Sequence, residues 1–441
     1  MMNWKQRCMA TVAMVSAVGM ALAGCGSGAS SSTGGAASAS SGGKVELTYI
    51  HRLPDKPGMT SVEDIVQRWN DANPDIQVKA VHFNGNASDL IKKLETDVKA
   101  GNAPDLAQVG YAELPEVFTK GILEDVTAEA EQYKGDFAAG PYELMGIGGK
   151  TYGLPQDTGP LVYFYNKAEF DKLGIEVPGT QDELVASAKK AAEQGKYIMS
   201  FQADEAGNML SGLAGASGPW YTVEGDAWKV DTETVGSQAV AKVFQDLLDA
   251  KAVATDPRWD PSFDAALQQG RLIGTVGAAW EAPLLMDSMA DKGGKGDWRV
   301  AQIGDWFGNG SKTGPDGGSG VAAIKGCEHK AEAMKFLDWF NTQIEDLTSQ
   351  GLVVAASTGT PSTPESWSEF YGGQDVMKEF FDANANMGDF SYIPGFSSVG
   401  TAMKEQAAKA AAGTATVESV FSTAQTSSID TLKDYGLAVS E

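Results

Sequence analysis

A short run that ends in Gly149-Lys150-Thr151 carries the residue types of a phosphate-binding loop. In such a loop, backbone N–H groups and the lysine surround a phosphate, and another glycine stands five residues before the last glycine. That position is Leu144 in this chain, and no helical pattern follows Thr151. The run therefore does not predict a nucleotide site.

Metal-binding residue types are also present, but without the spacing that a metal site needs. Asp382, Asn384 and Asn386 resemble the start of a calcium-binding loop, but the glycine comes one position late and the twelfth position is Ile393 instead of Glu. The three histidines are widely separated, and Cys327 is the only cysteine that follows the first 25 residues. We therefore predict no metal site, no cofactor site and no intrachain disulfide in the folded part.

Residues 1–24 have the features of a secretory signal that ends at a lipidation site. Lys5 and Arg7 form a positive start, and the apolar run that follows is too short to span a membrane comfortably. The ending Leu-Ala-Gly-Cys resembles the bacterial lipobox, in which the cysteine thiol is lipidated and the peptide is cut before it. We therefore expect the signal to be removed and Cys25 to anchor the protein to the outer face of a bacterial cell membrane.

The segment 25–43 is predicted to be a linker, and the chain as a whole is strongly acidic. After Cys25 the segment contains only Gly, Ser, Ala and Thr, which predicts a flexible linker with a reach of roughly 25 Å. The 441 residues include 34 basic and 58 acidic side chains, for a net charge of −24. Such an acidic chain repels phosphate backbones, so nucleic acid is not an expected partner. The length corresponds to about two or three domains.

From residue 44 onward, the patterns of strands and amphipathic helices alternate. One helix that Ser61 can cap ends at Asn73-Pro74, and the next helix ends at Gly101. This alternation predicts parallel strand pairing and an α/β sheet with helices on both faces. The strands predicted along the chain are 45–50, 76–83, 106–109, 161–165, 197–201, 271–276 and 298–303.

The later part of the chain continues in the same style. Thr180 and Glu183 form a capping box at the start of another helix. The Gly-rich stretch 305–320 is predicted to be a loop, and a helix is expected around 334–340. The chain after about residue 374 is predicted to be mostly helical.

The order of several short motifs is more specific than any single element. The series resembles the family 1 extracellular solute-binding proteins, the group that contains the maltose-binding protein and many oligosaccharide receptors. The resemblance covers nearly the whole chain from Lys44 onward. The motifs are, in order, NPDI at 73–76, AGNAPD at 100–105, KG at 120–121, GKTYGLP at 149–155, YNK at 165–167, GR at 270–271, GTVGAAW at 274–280 and GGSG at 317–320.

This resemblance implies a two-lobed α/β fold like that of periplasmic binding proteins of type II, with a ligand cleft between the lobes. It also implies a monomeric receptor that closes around an oligosaccharide and delivers it to the permease subunits of an ABC importer. The implied N-terminal lobe combines 44–157 with 305–354, the other lobe combines 158–304 with 355–441, and the crossings lie near 155–160, 303–305 and 355–361.

A site for a sugar needs aromatic rings and hydrogen-bonding side chains, because a sugar presents hydroxyls and weakly apolar C–H faces. Trp280 matches the tryptophan that stacks on a sugar ring in family members, and Glu281 beside it could bond hydroxyls. Tyr111 follows a predicted strand at an edge where many members of the family bind ligand. His51 and Arg52 follow the first strand, and ligands of α/β sheets gather at the carboxyl ends of strands.

The remaining candidates lie near the expected crossings or in loops. Gln156 and Asp157 stand at the first crossing, where Asp157 could form charge-assisted bonds to hydroxyls. Trp220 and Trp306 are candidates for a second aromatic platform, and Gly318 could bring a backbone N–H close to a ligand. A structural role, in the core or in a hinge turn, is the alternative for each of these residues.

Two other functions are left open. A secreted glycoside hydrolase needs a pair of carboxylates, which a chain with 58 acidic residues always offers. Nothing else favours catalysis, and no Gly-x-Ser-x-Gly motif occurs, so the protein is expected not to be an enzyme. A receptor for a glycerol phosphodiester or another polar solute would need converging Arg or Lys residues. Only Arg52 stands among the candidates, which favours a neutral sugar.

Overall fold

The structure is a computed structural model that describes residues 43–440 except 57, 58, 291, 360 and 389. The predicted signal and the lipidation site at Cys25 lie outside the described residues. Among the residues that are described, no helix is both long enough and apolar enough to cross a membrane.

The elements of the described part alternate between strands and helices along most of the chain. The strands are β1 (Val45–His51), β2 (Ile76–His82), β3 (Leu106–Gly110), β4 (Gly146–Ile147), β5 (Lys150–Thr151), β6 (Gly153–Asn166), β7 (Tyr221–Glu224), β8 (Ala227–Val230), β9 (Gly274–Ala278), β10 (Trp298–Ala301), β11 (Pro315–Ala323) and β12 (Val353–Val354). The α-helices are α1 (Val62–Ala72), α2 (Ala87–Ala100), α3 (Leu114–Thr119), α4 (Thr127–Ala130), α5 (Ala139–Leu144), α6 (Lys167–Leu173), α7 (Gln181–Ala192), α8 (Ala206–Gly215), α9 (Val235–Asp249), α10 (Pro261–Gln268), α11 (Ala282–Met289), α12 (Lys330–Asn341), α13 (Ile344–Ser349), α14 (Glu365–Phe370), α15 (Val376–Ala385), α16 (Phe396–Ala411) and α17 (Glu418–Asp434). Short 3₁₀ helices cover Glu131–Asp136, Ala203–Glu205 and Ala279–Glu281.

The long strand β6 joins two halves of the structure. Its first residues pair with β11 and β12, and its last residues pair with β9 and β10. We call the part built on β1, β2, β3, β11, β12 and the start of β6 the N-terminal half. The part built on β9, β10 and the end of β6 is the C-terminal half. The main strand order is β10-β6-β11-β3-β1-β2.

The direction of strand pairing agrees with the sequence only in part. Strand β1 is parallel to both β2 and β3, as the alternation of strands and helices predicts. Strand β11 is antiparallel to β3 and to β6, and the pairs of β6 with β9 and β10 are antiparallel as well. The sheet is therefore mixed. Strands β6 and β11 both pass between the two halves, and they run in opposite directions.

Each half places apolar side chains on both faces of its strands. Leu161 and Tyr163 of β6 belong to one hydrophobic cluster, whereas Val162 and Phe164 belong to another. Successive side chains of a strand point to opposite faces, so a continuous apolar run such as this one requires helices on both sides. The same division occurs in the N-terminal half, where Tyr49 and Ile50 of β1 enter different clusters.

The helix boundaries predicted from capping residues are confirmed. The Ser61 side chain accepts a hydrogen bond from the backbone N–H of Asp64 at the start of α1. Gly101 ends α2 in the left-handed conformation that glycine adopts without strain. Thr180 and Glu183 form the reciprocal capping box of α7, which satisfies backbone N–H groups that a helix start otherwise leaves unpaired.

Two predictions of secondary structure are wrong. The stretch 197–201 forms only isolated bridges, which Tyr197 makes with Leu272 and Ser200 makes with Ala254. The stretch 305–320 is not a loop throughout, because β11 begins at Pro315. The glycines of β11 obscure this strand in the sequence. They are needed because a Cβ at Gly320 would meet the Met145 side chain and the backbone of β6.

The chain passes from the C-terminal half to the N-terminal half along β11. Trp306 and Phe307 still pack in a cluster of the C-terminal half, and the Leu161 N–H donates to the carbonyl of Gly314. Pairing with the middle of β6 begins only at Pro315. The sequence predicts this crossing near 303–305, and the lobe boundary there stays a prediction.

Candidate functional site

The middle of β6 presents Asp157, a carboxylate that is only 4% exposed. Both the backbone N–H and the hydroxyl of Ser319 donate to its Oδ1, at 2.9 and 2.6 Å. Within the described residues no Lys, Arg or His nitrogen lies within ion-pair distance of this carboxylate. Burial raises the pKa of Asp157 to about 7, although the Ser319 hydrogen bonds and the charge of Arg52 act in the opposite direction.

Tyr111 packs over the place where β6 and β11 meet. Its hydroxyl donates to the carbonyl of Asp157 at 2.9 Å, and its backbone N–H donates to the carbonyl of Gly318 at 3.2 Å. Gly318 has a φ of +88°, and a Cβ there would lie 3.0 Å from the Tyr111 ring. A glycine is therefore required at this position for conformation and for space. The structure thus brings Tyr111, Asp157 and Gly318 together.

Trp280 lies in the 3₁₀ helix that follows β9, with its indole half-buried. The indole Nε1 donates to the carbonyl of Asp316 at 2.9 Å. The guanidinium carbon of Arg258 lies 5.0 Å from the ring centre, within the range of a cation–π contact. A Cβ on Gly317 would lie 3.1 Å from Nε1, so the small residue leaves space for the indole edge. The Trp280 indole is therefore held both at its edge, by a hydrogen bond, and over its ring, by the guanidinium.

Arg258 is the centre of a buried ion-pair network beside the Trp280 indole. Its side chain is 3% exposed, and Nη1 lies 2.7 Å from Oδ2 of Asp316. Its Nε donates to Oε2 of Glu281 at 3.0 Å, and its Nη2 bonds the other oxygen of the same carboxylate. Glu205 lies 3.7 Å away and is more exposed. Burial alone would lower the pKa of Arg258, but these carboxylates raise it, so the guanidinium stays charged.

Glu281 has its hydrogen-bonding capacity occupied inside the protein. Besides Arg258, its carboxylate accepts the backbone N–H of Ala278 at 2.6 Å and the indole N–H of Trp259 at 2.8 Å. Burial raises the pKa of Glu281, and Arg258 counters this. The sequence predicted that Glu281 could bond ligand hydroxyls, whereas in the structure its buried carboxylate is bonded to Arg258, Trp259 and the backbone of Ala278.

A cavity of about 220 Å³ lies between the two halves. Four carboxylates line it, and Lys404 is the only cation among the lining residues. Burial raises the pKa of both Glu113 and Glu205, with Arg52 lowering the first and Arg258 the second. The walls are Ala112, Glu113 and Glu116 of the N-terminal half, and Asp204, Glu205, Gly207, Asn208, Phe396, Ser397, Gly400, Thr401 and Lys404 of the C-terminal half.

His51 and Arg52 lie at the carboxyl end of β1, as predicted, but in different environments. His51 is 2% exposed, its ring lies against Tyr49 and His82, and burial lowers its pKa to about 4. It is therefore a neutral core histidine. Arg52 is half-buried, and its charge lowers the pKa of both Asp157 and Glu113, which places it near the cleft.

Gln156 is fully buried and points into the N-terminal half. Its Nε2 donates to Oδ1 of Asn341 at 3.1 Å, and its Oε1 accepts a hydrogen bond from Gln108 at 3.2 Å. Adjacent residues of a strand face opposite sides, so Gln156 and Asp157 cannot face the same way. Gln156 was expected to contact the ligand together with Asp157, but its buried side chain anchors β6 instead.

Two tryptophans predicted as platforms are core residues. Trp220 is 1% exposed, its Nε1 donates to the hydroxyl of Ser237, and its ring packs on Phe390 and Phe421. Trp306 has no exposed surface, and its Nε1 donates to the carbonyl of Pro178. Both indoles are surrounded by the hydrophobic cluster of the C-terminal half. Neither is placed to stack on a ligand.

Three residues of the site were missed by sequence reasoning. Arg258, Asp316 and Glu205 are distant along the chain, and none belongs to a recognisable motif. The only signal was an Arg-Trp pair between Pro257 and Pro261 in a polar stretch. Among the described residues no group of three His, Cys, Asp or Glu side chains is arranged to hold a metal ion.

The chain is similar to known sugar-binding proteins in sequence and in structure. An arabinooligosaccharide-binding protein of Halalkalibacterium halodurans is 24% identical over 285 residues, which cover 62% of this chain and 63% of that protein. The match thus spans less than two thirds of that relative. A lactose-binding protein of Rhizobium radiobacter is 22% identical over 349 residues, which cover 73% of this chain and 78% of that protein.

Solved structures extend the comparison to nearly the whole folded part. The galacto-N-biose-/lacto-N-biose I-binding protein of an ABC transporter from Bifidobacterium longum, solved with lacto-N-biose, is 68% identical with a TM-score of 0.88. That match covers 90% of this chain and 100% of the other. A binding protein from Bifidobacterium animalis subsp. lactis, solved with β-1,6-galactobiose, is 24% identical with a TM-score of 0.75 over 90% of this chain and 100% of the other, and it supports the fold alone.

These matches confirm the two-lobed α/β fold that the motif series implied. The family described as bacterial extracellular solute-binding protein matches residues 54–343, which is more than half of the chain. On this match the chain belongs to the family of bacterial extracellular solute-binding proteins.

Proposed function

We propose that the protein is the solute receptor of an ABC importer and captures a small neutral oligosaccharide between its two halves. The observation that carries the proposal is the 68% identity, over 90% of the chain, to the B. longum binding protein. The first sugars to consider are therefore those named for that protein, lacto-N-biose and galacto-N-biose. Receptors named for arabino-oligosaccharides and lactose among the relatives support the same class of solute.

The cleft chemistry supports a neutral solute. Hydroxyls can donate to the carboxylates that line the cavity, and such charge-assisted hydrogen bonds are stronger than neutral ones. Trp280 offers an apolar face for the C–H side of a sugar ring. A phosphate group would instead meet Glu113, Glu116, Asp204 and Glu205 at the same walls. The glycerol phosphodiester alternative is therefore disfavoured by like-charge repulsion.

The protein is proposed to bind its sugar without cleaving it. The matched family and the relatives named above are binding proteins. A glycosidase needs one carboxylic acid and one carboxylate that are both free to reach the scissile bond. The two acids nearest Trp280, Glu281 and Asp316, are both engaged by Arg258. This arrangement favours a structural role for the two carboxylates over a catalytic one.

We further propose that the protein is exported, is anchored by a lipid and delivers its sugar to the permease. The lipobox-like ending at Cys25 and the Gly/Ser/Ala linker support a lipid-anchored, monomeric receptor outside the cell membrane, beside the permease. The proposed lobes are 44–157 with 305–354 and 158–304 with 355–441. A Cys25→Ser variant is expected to move from the membrane fraction to the medium or remain as uncleaved precursor. Retention of a mature-sized variant in the membrane would overturn the anchor.

Calorimetry of a soluble form that begins at Lys44 tests the main proposal. The panel consists of lacto-N-biose, galacto-N-biose, lactose, β-1,6-galactobiose, arabino-oligosaccharides and a glycerol phosphodiester, and each is chromatographed after binding. We expect saturable binding of one of the neutral sugars, with the sugar recovered intact. Recovery of cleaved sugar would show that the protein is an enzyme instead of a receptor. Binding of the phosphodiester alone would show that the solute is not a neutral sugar.

A further inference from the structure

We infer that Arg258 is a positioning residue for the proposed sugar platform, holding the Trp280 indole in its orientation and tying it to strand β11. This inference rests on the proposed function, because it assigns Trp280 to the ligand. Arg258 itself is buried beneath the platform, so it is assigned to the indole and the crossing strand and not to the solute.

Two of the contacts that restrain the indole depend on Arg258. The first is the guanidinium itself, 5.0 Å from the ring centre. The second is the hydrogen bond from Nε1 to the backbone carbonyl of Asp316, at 2.9 Å. The side chain of the same Asp316 bonds Arg258 at 2.7 Å. Loss of the guanidinium therefore removes one restraint directly and releases the residue that provides the other.

The guanidinium also connects two separate elements. Glu281 adjoins Trp280 in the 3₁₀ helix after β9, and Arg258 bonds both oxygens of its carboxylate. Asp316 lies in β11, the strand along which the chain passes from one half to the other. The planar fork of an arginine can serve two carboxylates with separate N–H groups. The platform is thereby linked to the crossing strand as well as to its own half.

Burial explains why this position requires arginine. The side chains of Arg258, Glu281 and Asp316 are between 2% and 4% exposed. Two carboxylates at this depth need a partner that satisfies both, since an unpaired buried charge is strongly unfavourable. A lysine keeps the positive charge but has a single ammonium and no planar group to lie against the indole. Arg258→Lys therefore changes the positioning while it preserves the net charge.

A double-mutant cycle with lacto-N-biose separates positioning from a general structural effect. Binding by the unmodified soluble protein is measured first, and failure to bind any sugar of the panel would refute the proposed function alone. Where sugar binds, we expect Arg258→Lys to weaken affinity roughly 10- to 100-fold, as loss of a buried anchor does. In a Trp280→Ala background the same change should weaken it by less than about threefold, because the residue through which Arg258 acts is gone.

A second readout needs no ligand. The tryptophan fluorescence quenched by acrylamide is compared with and without Trp280→Phe, which isolates the signal of Trp280. We expect Arg258→Lys to increase the quenching of Trp280. Arg299→Lys is the matched control, because Arg299 is half-buried in the C-terminal half and bonds the nearby carbonyls of Gly296 and Trp298. If Arg258→Lys fails to fold, Asp316→Asn replaces it, with quenching expected to increase in the same way.

Two results would overturn the inference. One is an equal loss of affinity from Arg258→Lys in the presence and absence of the Trp280 indole. The other is unchanged quenching of Trp280 in folded Arg258→Lys or Asp316→Asn protein. Because quenching is measured without sugar, the second result judges the positioning role even where the proposed solute proves wrong.

Discussion

Asp157 is a buried carboxyl group whose hydrogen-bond donors are neutral. Since its folded-state pKa is raised, to about 7, the folded protein holds this proton more tightly than the unfolded chain does. The resulting contribution to stability is complete below the ordinary pKa of an aspartic acid and is lost as the pH rises toward the folded value. Deprotonation of Asp157 therefore lowers the free energy of unfolding at neutral pH.

Asp157→Asn removes this titration and keeps an oxygen that can accept from Ser319. Relative to the unmodified protein, the free energy of unfolding of the variant should rise by on the order of 1–4 kcal/mol as the pH increases from 5 to 8. Urea unfolding at several pH values measures the difference, and the exposed Asp434→Asn serves as the control. A difference that stays constant across this pH range would show that Asp157 does not titrate there.

Trp280 combines a half-buried ring with a fixed orientation, which is what an aromatic platform for a sugar requires. Trp280→Ala should weaken sugar binding by about 2 kcal/mol or more, roughly 30-fold, while the protein stays folded. Calorimetry measures the affinity, and circular dichroism follows the fold. Trp339→Ala removes another half-buried indole, on α12, and should leave the affinity unchanged. Equal effects of the two variants on binding would contradict the assignment.

At the scale of elements, an ion pair between described residues joins the two halves. Nζ of Lys56, in the segment after β1, lies 2.6 Å from Oδ2 of Asp287 on α11. Both side chains are well exposed, at 38% and 54%. Exposed pairs of this kind contribute up to about 1 kcal/mol, and salt screens them.

Lys56→Gln should therefore weaken sugar binding by at most about fivefold at low salt, because it removes a contact present only when the halves meet. The effect should disappear in high salt. Calorimetry at two ionic strengths measures it. Lys295→Gln removes a comparably exposed pair with Glu369 inside the C-terminal half and is expected to have no effect. A salt-independent loss of affinity would indicate that Lys56 contacts the sugar directly.

At the scale of the whole molecule, the cavity walls come from both halves, so we expect sugar binding to be coupled to the approach of the halves. We expect the radius of gyration in solution to fall when saturating sugar is added. Small-angle X-ray scattering measures this change. A sugar at about 100 times its dissociation constant should also stabilise the protein by roughly 2.7 kcal/mol. Identical scattering curves with and without bound sugar would argue against closure.

Much of the local structure could be predicted from the sequence. The helix starts at Ser61 and Thr180 and the helix end at Gly101 depend on groups within three or four residues, so short stretches are sufficient to determine them. The strand cores around 45–50 and 106–109 follow from apolar runs for the same reason. The family was identifiable because the order of short motifs survives in the chain independently of how they pack.

The sequence by itself determined the fold class, the caps and Trp280 as a candidate, whereas only the tertiary structure decided which side chains face the cleft. Trp220, Trp306 and Trp280 are the same residue type in similar contexts, and packing buries the first two completely. Arg258 and Asp316 are 58 residues apart, and they meet only because β11 returns along β6. Burial and pairing at a distance depend on the whole fold, so no local pattern could reveal them.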